Sequence, residues 1–459
     1  MKKKFGAVVA ALLSLSMAAC SGGGKAPVTA DNSTSDMPAA VSTEDGKPAG
    51  EATNLTLWTY PVGGWGNSEV VDELITDFNA VHPEISITVE YLDYTNGDDQ
   101  VNTAIEGGKA PDIILEGPER LVANWGAKGL MADLSDLMDS ADAEDIYDNI
   151  KTACTAKSGE VYEYPLCMVA HAMAVNKAYM EEADAMQYVD EKTHTWKSTD
   201  DFFKAVQALY DAGHKDVASV YCAGQGGDQG TRALINNLYS GRFTNADHTG
   251  YEFNSEQNIK ALEALKAQDG IKFDASIVGG DEINLFRQGV LAMSFCWNAS
   301  FHNNTDNGEA GKTNNGEEIL PLNFPTDDGK VELCGGIWGF GVFDNGNEAK
   351  IEAAKTFIDF MANGDEAVKA VVSSGFFPVH KNMGNVYANE KISATMDIFN
   401  KDFIPNMGEY YQIVPGWAAA RTAWWNMLQR VGTGGDAASE AAAFDEEANA
   451  AAEAATAKK

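Results

Sequence analysis

Positive charge is what this sequence lacks most: 33 Lys and Arg stand against 68 Asp and Glu, for a formal net charge of −35. Nucleic acid and anionic lipid both require clustered cations, so neither is expected as a partner surface. Cysteine is scarce as well, with six scattered residues and no C-x-x-C pair. Neither a disulfide framework nor a zinc site is therefore indicated, and Cys154, Cys167, Cys222, Cys296 and Cys334 read as small buried apolar residues, with one disulfide among them left open. Catalytic signatures are missing too: there is no nucleophile elbow, P-loop, H-E-x-x-H or dinucleotide-binding glycine motif. The acidic and amide-rich loops at 303–318 and 326–329 lack calcium-loop spacing, so they read as solvated loops and no metal is expected.

What is present begins at the N-terminus. Lys2, Lys3 and Lys4 precede a short apolar run, Phe5 to Met17, which is too short for a permanent membrane span. It ends in Met17-Ala18-Ala19-Cys20, followed by Ser21-Gly22-Gly23-Gly24. Small residues before a cysteine form a bacterial lipobox, with Met17 where Leu is usual. Residues 1–19 are thus expected to be a removable signal peptide and Cys20 a lipidated N-terminus on the extracytoplasmic face of the cell membrane. Residues 20–52 are Gly, Ser, Thr, Pro, Ala and acid, which cannot bury a core and read as a flexible tether. The rest, about 400 residues, exceeds what one hydrophobic core usually serves, so two domains are expected.

The folded part opens with the alternating strand Leu55-Thr56-Leu57-Trp58 and a Gly-rich loop, Tyr60 to Asn67. Ser68 is placed to cap a helix whose apolar stripe is Val70, Val71, Leu74, Ile75 and Phe78. Strands at 85–91 and 112–115 alternate with a helix near 99–106. That alternation predicts a parallel sheet covered by helices, with ligands beyond the carboxyl ends of the strands. Residues 154–164 read as a hairpin and 166–176 as one strand. Helices are predicted at 199–212, 229–239, 255–268, 282–288, 347–361, 365–373, 391–400, 417–431 and 437–452, with a strand at 290–295.

The order of short motifs then resembles a known family. Leu-Thr-Leu-Trp58, Phe78-Asn-Ala-Val-His-Pro83, Gly108-Lys-Ala-Pro-Asp-Ile-Ile114, Gly159-Glu-Val-Tyr-Glu-Tyr-Pro165, Val175-Asn-Lys177, Gly289-Val-Leu-Ala-Met293, Gly335-Gly-Ile-Trp338 and Gly375-Phe-Phe-Pro-Val379 fall in the sequence seen in family 1 extracellular solute-binding proteins. These are maltose-binding-protein-like receptors of ABC importers. The resemblance implies an α/β, periplasmic-binding-protein-like fold: two α/β lobes joined by crossover hinge strands, with the ligand cleft between them. The N-terminal lobe would comprise 53–168 and 336–384, the C-terminal lobe 169–335 and 385–459. It further implies a monomeric, cofactor-free, non-enzymatic receptor that captures a carbohydrate and delivers it to the transmembrane subunits of an ABC permease. A phosphodiester or peptide cargo, or a surface glycoside-acting enzyme using Glu116 and Glu119, stands as the alternative.

Sugars need aromatic plates for their apolar faces and planar charged groups for their hydroxyls. The resemblance places Glu119 and Arg120 where maltose binders carry an Asp-Arg pair, and Glu116 where they carry a sugar-contacting Trp. In the first loop Val62-Gly63 replaces an acidic-polar pair, leaving Trp65 as a ligand or turn residue. Trp417-Ala-Ala-Ala-Arg421-Thr-Ala resembles the family's Trp-x-x-x-Arg-Thr-Ala, and the four-residue spacing puts ring and guanidinium on one helix face. His171, two residues past Val169 on the first crossover, together with Trp297, Asn298 and Trp338, completes the expected ligand set. Gln225, Asp228 and Arg232 in a Gly-rich segment are weaker candidates.

Overall fold

The computed structural model describes residues 52–94, 96–305, 308–408 and 411–456; the expected signal peptide, Cys20 and the expected tether up to residue 51 lie outside the described residues. Three parallel strands found the first lobe: β1 (Thr53–Thr59), β2 (Ile85–Tyr91) and β3 (Ile113–Glu116). Between β1 and β2 runs α1 (Ser68–Val81), which buries Val71, Leu74, Ile75 and Phe78. Its cap is Asn67 rather than Ser68: the Asn67 side chain accepts the Glu69 N–H, and Ser68 is the first helical residue. Helix α2 (Gly97–Glu106) links β2 to β3. The sheet is completed by β4 (Tyr164–Ala170), which leads directly into β5 (Ala172–Asn176) of the second lobe.

The apolar run expected to be one strand is thus two, in different sheets, broken at His171. Helix α3 (Thr199–Ala212) leads to β6 (Ala218–Tyr221), then α4 (Asp228–Leu238), α5 (Glu256–Ala267) and β7 (Ile271–Asp274). Helix α6 (Gly279–Arg287), β8 (Met293–Trp297) and β9 (Ile319–Leu322) follow. Strands β8 and β9 flank β5, both antiparallel to it, and β6 pairs β7 in parallel. The Val217 carbonyl accepts the Ala292 and Met293 N–H groups at 3.0 and 2.8 Å, which ties the β6–β7 pair to β8.

The chain returns through β10 (Gly335–Val342), inserted antiparallel between β3 and β4, so the first sheet reads β11-β4-β10-β3-β1-β2 with β11 (Phe377–Pro378) at its edge. Helices α7 (Glu348–Ala362) and α8 (Gly364–Ser374) pack on that sheet. At the crossing points the His171 N–H donates to the Cys334 carbonyl at 2.9 Å, pairing the outgoing and returning strands. The first crossing lies at 170–172, a little beyond the expected 168/169, because β4 stays hydrogen-bonded to β10 through Ala170. The chain then passes back to the second lobe, with α9 (Ser393–Asp402), α10 (Trp417–Gly432) and α11 (Ala437–Thr456). Residues 154–164 form a helix end and a turn closed by a single Thr155–Val161 bridge, not a full hairpin. The five cysteines from Cys154 to Cys334 are all buried.

Candidate ligand-binding cleft

Because β1, β2 and β3 are parallel, the loops after them emerge on one edge, and that edge carries charge. Arg120 donates through Nε to Asp98 Oδ1 at 2.7 Å and through Nη1 to Glu116 Oε1 at 2.9 Å, with Glu119 Oε1 at 3.8 Å. Tyr60, wholly buried, donates its hydroxyl to the same Asp98 oxygen at 2.5 Å. Tyr94 stacks on Tyr60 with ring centres 5.3 Å apart, and the Arg120 guanidinium lies over both rings at 5.1 and 5.8 Å. Tyr94 keeps 38% of its surface exposed, while burial, first among the causes, pushes its hydroxyl well above its ordinary value, so an anchored ring supports a residue enclosed at its hydroxyl end and open elsewhere. A methyl group at Gly117 would sit 2.7 Å from the Glu119 carboxylate and 2.8 Å from the Ile337 carbonyl, so only glycine permits this close turn.

Burial pushes the Glu116 carboxyl up to about 7; Arg120 opposes that rise and Glu119 adds to it. Burial acts in the same direction on Asp98, but Arg120 and the Tyr60 hydroxyl outweigh it and hold that carboxyl below its ordinary value. Behind them Glu163 is fully buried with neither oxygen hydrogen-bonded to a described residue. Burial, then Glu119 and Glu116, push its carboxyl well above the usual range.

The facing wall comes from α4 and α10. Asp228, the first residue of α4, accepts from Arg421 at 2.8 Å (Nε) and 2.6 Å (Nη2), and also from Arg232 one turn further on. Arg421 continues to Gln225, reaching its carbonyl at 3.0 Å and its side-chain oxygen at 3.3 Å. Burial would raise Asp228, but Arg232 and Arg421 hold it below the ordinary carboxylate value. The walls meet where Gln225 Nε2 donates to the Tyr94 carbonyl at 2.8 Å. A second bridge runs from Arg232 to Gln412 at 2.9 Å and from the Gln412 amide to the Gly335 carbonyl at 3.4 Å.

Of the residues singled out from sequence, Glu116, Glu119 and Arg120 form one wall and Arg421 the other. Trp417 is only 4% exposed: its ring lies 4.9 Å from the Arg232 guanidinium and meets Phe243 edge-on at 5.9 Å, backing the wall. His171 is buried beside this cluster, and neither ring nitrogen is hydrogen-bonded to a described residue. Burial and then Arg232 push its imidazole down to about 4, so it is neutral. Three expectations resolve into packing within a lobe, and a fourth, Trp338, keeps part of its surface exposed. Trp65 is fully buried, donates to the Ala370 carbonyl at 3.3 Å and meets Phe340 edge-on. Trp297 is fully buried against Phe286 and donates to His302 Nδ1 at 3.3 Å. Asn298 caps the helical turn Ala299–Asn303 by accepting the Phe301 N–H. Trp338, half-buried, stacks on Phe376 at 4.9 Å.

Tyr60, Tyr94, Asp98, Glu163 and Gln412 were not singled out from sequence. For the first three a signal existed, since each lies on a loop or first helical turn just past a parallel strand. Among the described residues no group of three or more His, Cys, Asp and Glu is placed to hold a metal ion.

A two-lobed α/β fold with opposed polar walls defines a binding protein of the hinged-receptor class. The chain belongs to the bacterial extracellular solute-binding protein family, which it matches over residues 65–367. An ABC transporter solute-binding protein of Thermotoga lettingae, bound with α-D-tagatose, shares 19% identity at a TM-score of 0.68, covering 87% of this chain and 100% of that one. A Listeria monocytogenes ABC substrate-binding protein in complex with cycloalternan gives 19% and 0.69, covering 87% and 98%. The cyclic α-maltosyl-1,6-maltose binding protein of Arthrobacter globiformis gives 17% and 0.70, covering 88% and 100%. At these identities the likeness establishes the fold. An uncharacterized lipoprotein of Streptomyces antibioticus is 36% identical over 74 residues, which span 16% of this chain and 16% of that lipoprotein.

Proposed function

We propose that this protein is a lipid-anchored receptor of an ABC importer that captures a neutral carbohydrate between its lobes and presents it to the permease. The observation that carries the reading is the charge balance of the cleft. Arg120, Arg232 and Arg421 face Asp98, Glu116, Glu119 and Asp228, and each guanidinium is already paired with a carboxylate. Three guanidiniums thus stand against four carboxyls, and burial favours the neutral form of one of these, Glu116, so the two walls nearly cancel. Such walls offer many planar donors and acceptors and no net charge, which suits hydroxyl groups rather than a phosphodiester. Tyr94 supplies the open ring for a sugar face. The carbohydrate ligands named for the Thermotoga, Listeria and Arthrobacter proteins support the same class.

A glycosidase reading is disfavoured because Glu116 and Glu119 sit side by side on one guanidinium, whereas glycoside hydrolysis places its two carboxyls on opposite sides of the scissile bond. Anchoring through Cys20 and residence outside the membrane follow from the lipobox, and the similarity to a Streptomyces lipoprotein supports them. The test is a thermal-shift screen of neutral and acidic oligosaccharides, phosphodiesters and peptides, since a ligand at 100 times its Kd stabilises by about 2.7 kcal/mol. A shift confined to neutral sugars is expected; a shift with only phosphodiesters or peptides would overturn the reading.

A further inference from the structure

Two glutamines repeat one arrangement around Asp228. The Gln412 side-chain oxygen accepts from Arg232 Nη2 at 2.9 Å, and its amide donates to the Gly335 carbonyl at 3.4 Å. The Gln225 side-chain oxygen accepts from Arg421 Nη1 at 3.3 Å, and its Nε2 donates to the Tyr94 carbonyl at 2.8 Å. Both arginines are counter-ions of Asp228. A guanidinium only donates, so each one fixes which end of its amide it faces and turns the NH2 group outward. The targets differ. Gly335 opens β10 at the crossover, so Gln412 fastens the second wall to the hinge. Tyr94 lies between β2 and α2 of the first lobe, so Gln225 reaches across the cleft.

The loop that carries Gln225 is tied down on both sides of it. The Ala223 N–H donates to the Ile277 carbonyl at 3.0 Å, and the Gly226 carbonyl accepts the Gly279 N–H at 2.7 Å. Gly227 has a φ of 79°, and a methyl group there would lie 2.5 Å from Cys296 Sγ, so the turn into α4 requires glycine. Arg421 Nη2 also bonds the Gln225 carbonyl at 3.0 Å, so one guanidinium grips main chain and side chain together. The target is held as firmly. The Gly97 N–H donates to the Asp93 carbonyl at 2.9 Å and the Asn96 N–H to Asp93 Oδ1 at 2.7 Å, while the Tyr94 ring rests on Tyr60. The Gln225 amide thus joins two braced loops, one on each lobe. Gln225 is itself half-buried, and Arg421 keeps Asp228 whether or not the amide is present.

We propose that Gln225 is an interlobe latch: a positioning residue, oriented by Arg421, that holds the loop carrying the Tyr94 ring against the second wall and so sets how firmly the lobes stay closed. The latch does not depend on the chemistry of the solute, so it stands or falls apart from the carbohydrate reading. Full-length protein in detergent is spin-labelled at one exposed site on each lobe, Thr76→Cys on α1 and Glu263→Cys on α5, with the five buried cysteines left in place. Double electron–electron resonance without added solute then gives the distribution of interlobe distances. Wild type shows a population at the separation of this structure. Gln225→Glu keeps an acceptor for Arg421 but loses the donor to Tyr94, and Gln225→Met keeps the stem and loses both. Each lowers the ratio of closed to open molecules about fivefold, the weight of one hydrogen bond, and leaves the melting temperature nearly unchanged. A ratio unchanged in both variants, or a wild type with no population at the closed separation, overturns the latch. A shift in distance that comes only with a lower melting temperature assigns Gln225 to the stability of the second wall and overturns it as well.

Discussion

Arg421 on α10 grips Asp228 on α4 with two contacts, 2.6 and 2.8 Å, and so joins two helices that lie 193 residues apart in sequence. Asp228 is also the counter-ion of Arg232, which makes it the keystone of the second wall. Removing it leaves two buried guanidiniums without that carboxylate. Asp228→Ala should therefore destabilise the unliganded protein by about 3 to 5 kcal/mol. A melting temperature within a degree of wild type would show that the cluster is not a structural unit.

Tyr94 and Trp417 should behave oppositely. Tyr94 is an exposed ring supported from below by Tyr60, so Tyr94→Ala should lower sugar affinity about tenfold while leaving the melting temperature nearly unchanged. Trp417 is buried against Arg232 and Phe243, so Trp417→Ala should cost about 3 to 5 kcal/mol of stability before any ligand is added. Calorimetric titration paired with denaturant unfolding separates the two roles.

Much of the fold was readable because its signals are local. Caps and a 3.6-residue apolar period placed α4, α5, α7, α8 and α10 within a few residues of their observed ends. The short β6 and β7, four residues each, carry too little pattern to be seen, and the continuous apolar run through β4 and β5 says nothing about which sheet each half joins. In the site, Glu116, Glu119, Arg120 and Arg421 were reached through motif position. Trp65 and Trp297 were not distinguishable from ligand-facing rings, because an aromatic near a strand end serves a core equally well. Asp98 and Tyr94 carry no motif, only a position past a parallel strand, and it is the tertiary structure that brings them to Arg120.

Stability should decline from mildly acidic to mildly alkaline pH. Burial, countered by Ser294 and the Phe295 N–H, pushes Glu282 from 4.5 up to about 8, and Glu116 rises to about 7, so the folded state holds these protons after the unfolded chain has released them. Their contribution is complete below pH 4.5 and is lost as pH rises through 7 and 8. His171 and His302, pushed from 6.5 down to about 4 by burial first, act in the opposite direction between those values. The two effects oppose each other below about 6.5, and above it only the carboxyls remain. Each proton then costs up to about 1.4 kcal/mol per pH unit. Melting curves from pH 5 to 8.5 should show the decline above 6.5, and Glu282→Gln should flatten it; a stability that rises from pH 6.5 to 8 would contradict the assignment.

Cys20 is the proposed membrane anchor of the receptor. Cys20→Ala should leave the protein unprocessed or release it from the membrane fraction, as read by fractionation and by the mass of the mature N-terminus. Normal cleavage with full membrane retention would remove the lipid anchor from the account.

The central claim is that opposed, charge-balanced walls close on a neutral carbohydrate, and an isothermal titration that compares a neutral oligosaccharide with its uronic-acid counterpart tests it most directly. The account predicts one neutral ligand per chain, the acidic counterpart at least about tenfold weaker because its carboxylate would lose water at walls whose guanidiniums are already paired, and loss of both heats in Arg120→Ala. Tighter binding of the acidic sugar, or neutral binding untouched by Arg120→Ala, would contradict it.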